Sequence, residues 1–323
     1  MAEIVCCACH QALAAGGPVL GGRSYCPACY KRAVQGRPGL WRAGVAQIIC
    51  LLLFVGLVEL VAAYLHPLLM GTTLVVASLL LALVPAALWL AFFYEQDRLE
   101  PEPRSYVLGV FVLGALLGAS VGLPLTRDLF RTADWLGANP GVALLGSILV
   151  YGFGYEFLKY AAVRYSIYGL PEFDERTDGI IYMTAAGLGL ATALNVDYVL
   201  RSGGVALNVG AIHVTVTAMA QASFAGLTGY FLGEARFGRR PVWWVPAGLC
   251  LAAILNGLFT YSRGEVTRTG ISLAGGGGFN PWPGLLLGTG VAAVVFVVLN
   301  LLIRRAARAT LAGVDVLSSG GGQ

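Results

Sequence analysis

Apolar residues in this chain fall in long uninterrupted runs, not in the alternating or 3.6-residue stripes of a water-soluble fold. The runs lie at 43–65, 68–94, 105–124, 141–166, 179–199, 211–233, 241–262 and 284–304, with short polar segments between them. Most are near the ~20 residues that a helix needs to cross a bilayer core. The pattern predicts an all-α polytopic membrane protein with about eight transmembrane helices. Within the runs, Gly109, Gly114 and Gly118, and then Gly187 and Gly189, predict close helix–helix approach.

Residues 1–36 break the pattern. This polar, glycine-rich segment holds five of the seven cysteines. Cys6-x-x-Cys9 is followed, after sixteen residues, by Cys26-x-x-Cys29. Two such knuckles offer four thiolates to one tetrahedral ion, which predicts a structural zinc site in preference to redox thiols. Cys7 and His10 offer a shifted ligand register. A segment this short has little core of its own, so the metal is expected to supply much of its folding energy. RSYCPACY resembles the second half of a LIM-type or zinc-ribbon finger.

The organisation read from these patterns is a finger domain at 1–36, a helical membrane domain at 43–305 and a low-complexity tail at 306–323. Composition agrees: 57% of the 323 residues are hydrophobic, 12% are charged and mean hydropathy is +0.75. A soluble domain carries about 25% charged residues. The net charge of +4 gives no reason to expect a nucleic-acid partner. With the N-terminus inside, the inner segments carry fifteen Lys or Arg and the outer segments five. That asymmetry predicts cytoplasmic N- and C-termini in a plasma membrane. It also places the thiols in the reducing cytosol, which agrees with zinc and not disulfides.

The polar groups inside the apolar runs are the candidate chemistry. Glu156 and Lys159 are three residues apart on one helix, so they share a face and can pair. A carboxylate within a span is costly and marks a functional-site candidate. Its two readings are a buried structural ion pair and a general acid–base group. Asn195, Gln221 and Asn256 are amides at mid-span or nearby, able to position water, stabilise an oxyanion or join helices. The loop at 95–105 reads as a rigid segment with a solvated acidic face. Asp174 or Asp178 is expected to cap the helix beginning near Gly179. Gly264 to Pro283 reads as a flexible outer loop.

The blocks FFYEQDRLEPEP, the E-x-x-K span, PEFDERTDGIIYMTAAGLGLAT and GYFLGEARF, in this order, resemble the PrsW family of intramembrane proteases within the CAAX-protease-like superfamily. The resemblance covers roughly 68–262 and leaves the finger as an added head. It implies cleavage of single-span membrane proteins, typically anti-sigma factors, as the first cut of a signalling cascade. The active-site pattern departs from the family's. The Glu-Glu pair reads Tyr155-Glu156, and Glu-Asn reads Leu194-Asn195. The two histidine positions hold Gln221 and Asn256, and Thr260 stands where Asn or Asp follows the second.

The three histidines are His10, His66 and His213, the last two helical turns before Gln221. Amides donate hydrogen bonds but do not titrate, so no intramembrane metal is expected. Two functions follow as expectations. One is a pseudoprotease that binds transmembrane segments, with the finger docking a cytosolic protein. The other is an active glutamic-type endopeptidase using Glu156, with Asn195, Gln221 and Asn256 in support. A small-solute transporter would show internal repeats with broken helices, and no convincing repeat is seen.

Overall fold

The computed structural model describes residues 4–6, 9, 11–13, 17–20, 23–34, 40–65, 70–96, 102–201 and 207–269. In the last helix it describes 283, 286–288, 290–291, 293–295, 297–299, 301–303 and 305. Cys7, His10, His66, residues 97–101 of the 95–105 loop and the tail at 306–323 lie outside the described residues.

The N-terminal segment is a small hairpin followed by a helix. Strands β1 (Val19–Leu20) and β2 (Arg23–Ser24) pair antiparallel, and an isolated bridge joins Val5 to Ala12. Helix α1 (Pro27–Val34) begins between Cys26 and Cys29. Cys6, Tyr25 and Cys26 are the buried residues of this unit, with Leu13 and Tyr30 against them.

Long helices build the rest: α2 (Leu40–Leu65), α3 (Gly71–Gln96), α4 (Arg104–Leu117), α5 (Thr132–Trp135), α6 (Pro140–Gly146), α7 (Phe153–Ser166), α8 (Asp178–Arg201), α9 (Leu207–Phe237) and α10 (Trp244–Thr269). The last, α11, runs through Leu286–Ile303. Turns of π-helix extend α4 at Gly118–Gly122 and Leu125–Leu129. Another, Ser147–Gly152, joins α6 to α7 without a break. Asn139 caps α6: its side chain accepts from the Val142 N–H at 2.9 Å, and Pro140 takes the first helical position, where no N–H is needed.

Seven helices among the described residues are long and apolar enough to cross a membrane, against the eight expected. The difference is α9. It has the length, at 31 residues, but polar side chains dilute its apolar character. Thr215, Thr217, Gln221, Ser223 and Thr228 are all buried. A helix enclosed by other helices need not be greasy, because little of it meets lipid. Its neighbour α8 is just as enclosed: 83% of its apolar stretch is buried, against 11% for α2 and 14% for α11. The pair α8–α9 is therefore the axis, and the other helices surround it.

Glycines allow the contacts that align the site. A Cβ on Gly187 of α8 would lie 2.7 Å from the Gln221 carbonyl oxygen, so only glycine lets α9 come this near. Gly257 does the same for α10, where a Cβ would stand 2.7 Å from the backbone nitrogen of Ile148. The expectation that small residues mark helix packing holds at Gly114, Gly118, Gly187 and Gly189 and fails at Gly109, where a Cβ would meet nothing within 4 Å.

Three local readings are corrected. Glu102 is not part of a solvated face: it is 4% exposed, and the Tyr182 hydroxyl donates to it at 2.5 Å. Asp178 does not cap α8. Its carboxylate accepts from the N–H groups of Asp174 and Glu175, at 2.7 and 2.6 Å, tightening the preceding turn instead. Helix α10 runs on to Thr269, beyond the loop start expected at Gly264.

Candidate functional site

Glu156 sits in the first turn of α7, four residues after the π-helical segment. Such segments shift the register of a helix and often accompany functional sites. The side chain is fully buried and accepts from three helices. Its Oε1 pairs with the ammonium of Lys159 on α7 and accepts from Asn256 Nδ2 of α10 at 2.9 Å. Its Oε2 accepts from the Thr228 hydroxyl of α9 at 3.4 Å. Lys159, also fully buried, donates to Gln221 Oε1 at 3.0 Å and to the Gln221 carbonyl at 3.4 Å. Three N–H donors thus meet three acceptors. The amides of Gln221 and Asn256 are 3.4 Å apart.

Four of the five predicted intramembrane residues therefore converge: Glu156, Lys159, Gln221 and Asn256. Asn195 does not join them. Its Nδ2 donates to the Val214 carbonyl at 3.0 Å, which ties α8 to α9. Val214 lies seven residues before Gln221, about 10 Å along the helix axis. Thr228 escaped the sequence reading, although it stands seven residues after Gln221 on the same helical face.

A cavity of about 300 Å³ opens beside this cluster, where α8 ends and α9 begins. Ser147, Tyr151, His213, Thr217, Gln221 and Thr260 contribute polar groups to its lining. His213 stands two helical turns before Gln221, yet both border the same space, with Thr217 between them. His213 also stacks on Tyr198, ring centroids 3.6 Å apart. Gln221 borders the cavity, whereas Glu156, Lys159 and Asn256 do not. Beyond the rim, Asp197 pairs with Arg127 and accepts from Arg201 Nε at 3.0 Å.

The cysteines form a second centre. The sulfurs of Cys6, Cys9, Cys26 and Cys29 lie within 4.8 Å of one another. Four thiolates at 2.3 Å from a zinc ion would stand about 3.8 Å apart, and the Cys9 and Cys26 sulfurs are 3.8 Å apart. The Cys29 N–H donates to Cys26 Sγ at 3.4 Å and holds that thiol below its ordinary range. The Cys26 sulfur in turn pushes Cys29 up to about 12. Sulfurs this crowded need a cation before all can ionise, so the group can hold a metal ion. Among the described residues it is the only cluster of its kind.

The model for "PrsW family intramembrane metalloprotease" matches residues 102–303. The match reaches past residue 262 into the last helix and leaves the cysteine unit outside. The chain is 30% identical to Protease PrsW of Geobacillus kaustophilus over 55% of its own length and 75% of that protein. It is 31% identical to the protein of the same name from Halalkalibacterium halodurans, over 55% and 79%. For that of Bacillus subtilis the figures are 28%, 55% and 79%. No solved structure is significantly similar.

The family description implies a metal, and the cluster around Glu156 does not suit one. It offers one carboxylate and two neutral amides, no imidazole, and an ammonium already paired with the carboxylate. The scaffold is another matter. Its spans are those of an integral membrane protein, and the family match takes in well over half of the sequence and every residue of the cluster: the chain belongs to the PrsW family.

Proposed function

We propose that this protein uses the PrsW scaffold to bind transmembrane segments without cutting them, as a pseudoprotease. One observation carries the reading: the carboxylate that hydrolysis would need is sealed behind Gln221, with both oxygens engaged, and does not reach the cavity. Peptide hydrolysis requires a base for water, an acid for the leaving amine and a donor for the oxyanion. A general acid–base group contributes about 10²–10⁴-fold. Gln221 and Asn256 can donate hydrogen bonds but cannot carry a proton through the reaction. The polar cavity remains suited to backbone groups of a segment that loses its helical bonds there, since each unsatisfied group in the bilayer costs several kcal/mol.

The expected ligand is a single-span membrane protein, of the anti-sigma-factor type that the family resemblance implies, and the role is in signalling. The cysteine unit at 1–36 holds a structural zinc and docks a cytosolic protein. The excess of basic residues on one set of loops supports a plasma-membrane protein with both termini cytoplasmic.

A second reading is an active glutamic-type endopeptidase. It is favoured by the short chain of contacts from the cavity through Gln221 and Lys159 to Glu156. Reconstitution of wild type and Glu156→Gln with single-span membrane peptides, with and without chelator, separates the two. The pseudoprotease is expected to bind and never cut. Cleavage by wild type that is lost in Glu156→Gln would overturn it and install the endopeptidase.

A further inference from the structure

A second cavity, of about 640 Å³, lies between α9, α10 and α11. Its walls are almost wholly apolar, among them Leu227, Leu258, Val291, Val294 and Val298. Two contacts hold α11 against α9. A Cβ on Gly288 would sit 2.8 Å from Val216, and Leu299 lies where one on Gly226 would point, at 3.0 Å. Between them the helices part. Gly290 lines the gap, and a Cβ placed there would meet nothing within 4 Å.

The dimensions restrict what can enter. From Leu286 to Leu299 the crevice follows α11 for about 20 Å, at 1.5 Å per residue. Even with the open space at its mouth included, about 1320 Å³ in all, the mean cross-section over that length is about 65 Å². A helix 10 Å wide needs about 80 Å², so a transmembrane helix does not fit. A hydrocarbon chain, whose carbons pack about 4 Å from their neighbours, does. The mouth is continuous with the apolar outer surface of the spans: Leu286, Val294 and Val298 are 71%, 64% and 40% exposed, and Leu258 is 39% exposed. The neighbour at that surface is bilayer lipid. No hydrophobic gain drives a chain from lipid into the crevice. Selectivity comes from shape, because an empty slot forfeits the dispersion contacts of its lining.

The inner wall of the crevice is also the wall of the polar cavity. Phe259, 8% exposed, borders both, and its ring meets that of Phe224 at 5.9 Å and 57°. We propose that the crevice is a binding site for a single acyl chain of a membrane lipid, and that Phe259 is the partition between that chain and the cavity ending at Gln221. The site does not depend on whether the protein cuts its ligand.

The test uses the full chain in nanodiscs of phosphatidylcholine doped with a phosphatidylcholine that carries a diazirine at mid-chain. Photolabelled residues are mapped by mass spectrometry. Labelling near Leu258, Val291 and Val294 is expected to exceed that near Leu53, Leu57 and Leu80, which face lipid on other helices, at least three-fold. Gly290→Phe fills the crevice and should remove the excess, and Gly290→Leu should reduce it if the larger side chain prevents folding. Val297→Phe, on α11 but outside the crevice, should leave it intact. In Phe259→Ala the label should extend to Thr217 and Gln221. Uniform labelling, or an excess that survives both Gly290 variants, would overturn the site. An excess that stays out of the cavity in Phe259→Ala would overturn the partition.

Discussion

At the scale of the residue, the buried ion pair is the costliest feature of the chain and the most informative. Glu156 and Lys159 are fully buried away from bulk solvent, so each depends on the other and on the amides around them. Removing one partner of such a pair costs about 3–5 kcal/mol, because the remaining charge is stranded. Lys159→Met is therefore expected to lower the thermal midpoint in detergent sharply. Lys159→Met combined with Glu156→Gln should recover most of that loss, since no net charge is left. A double-mutant cycle measures the coupling, and simple additivity would show that the pair is not a unit. Thr228→Val should cost only about 1 kcal/mol, as for one hydrogen bond. The spacing of Glu156 and Lys159 made their pairing legible in sequence. The arrival of Gln221 and Asn256 was legible only through family motifs, because they come from positions 65 and 100 residues further on. Asn195 was misplaced for the same reason: nothing in its span says that the amide turns to Val214.

Elements are positioned here by small residues. Gly109 and Gly114 sit five apart on α4 and look alike in sequence. A Cβ on Gly109 would meet nothing within 4 Å, whereas one on Gly114 would come 2.9 Å from the carbonyl carbon of Ala186 on α8. Gly109→Ala should be neutral or stabilise by up to about 1 kcal/mol, the helix-propensity difference. Gly114→Ala should destabilise, because backbone must move to admit the methyl group. Thermal unfolding of the two variants in one detergent gives the comparison, and equal effects would contradict the packing. Runs of apolar residues predicted nearly every helix but placed α9 among the greasy spans. That helix is polar for a span because it lies at the axis, and hydrophobicity records exposure to lipid, not passage through the bilayer.

At the scale of the whole molecule, the cysteine unit and the helical bundle have different sources of stability. The unit has a core of three buried residues, and its four cysteines can hold an ion whose binding would supply the missing stability. The bundle depends on packing. Chelation under reducing conditions, or Cys26→Ser, should release one metal ion per chain, measured by elemental analysis, and leave the unfolding transition of the bundle unchanged. Purified protein without bound metal, or a bundle that melts early after chelation, would contradict this division. Sequence by itself determined the membrane class, the four-cysteine cluster and the family, because each is written in local runs, spacings or motif blocks. Tertiary structure alone decided that Glu156 lies behind Gln221 and not in the cavity, that His213 borders the same space as Gln221, and that α11 stands away from α9 to leave a slot. Those outcomes depend on how far helices distant in sequence approach one another, and that distance is set by packing partners that no single stretch of chain contains.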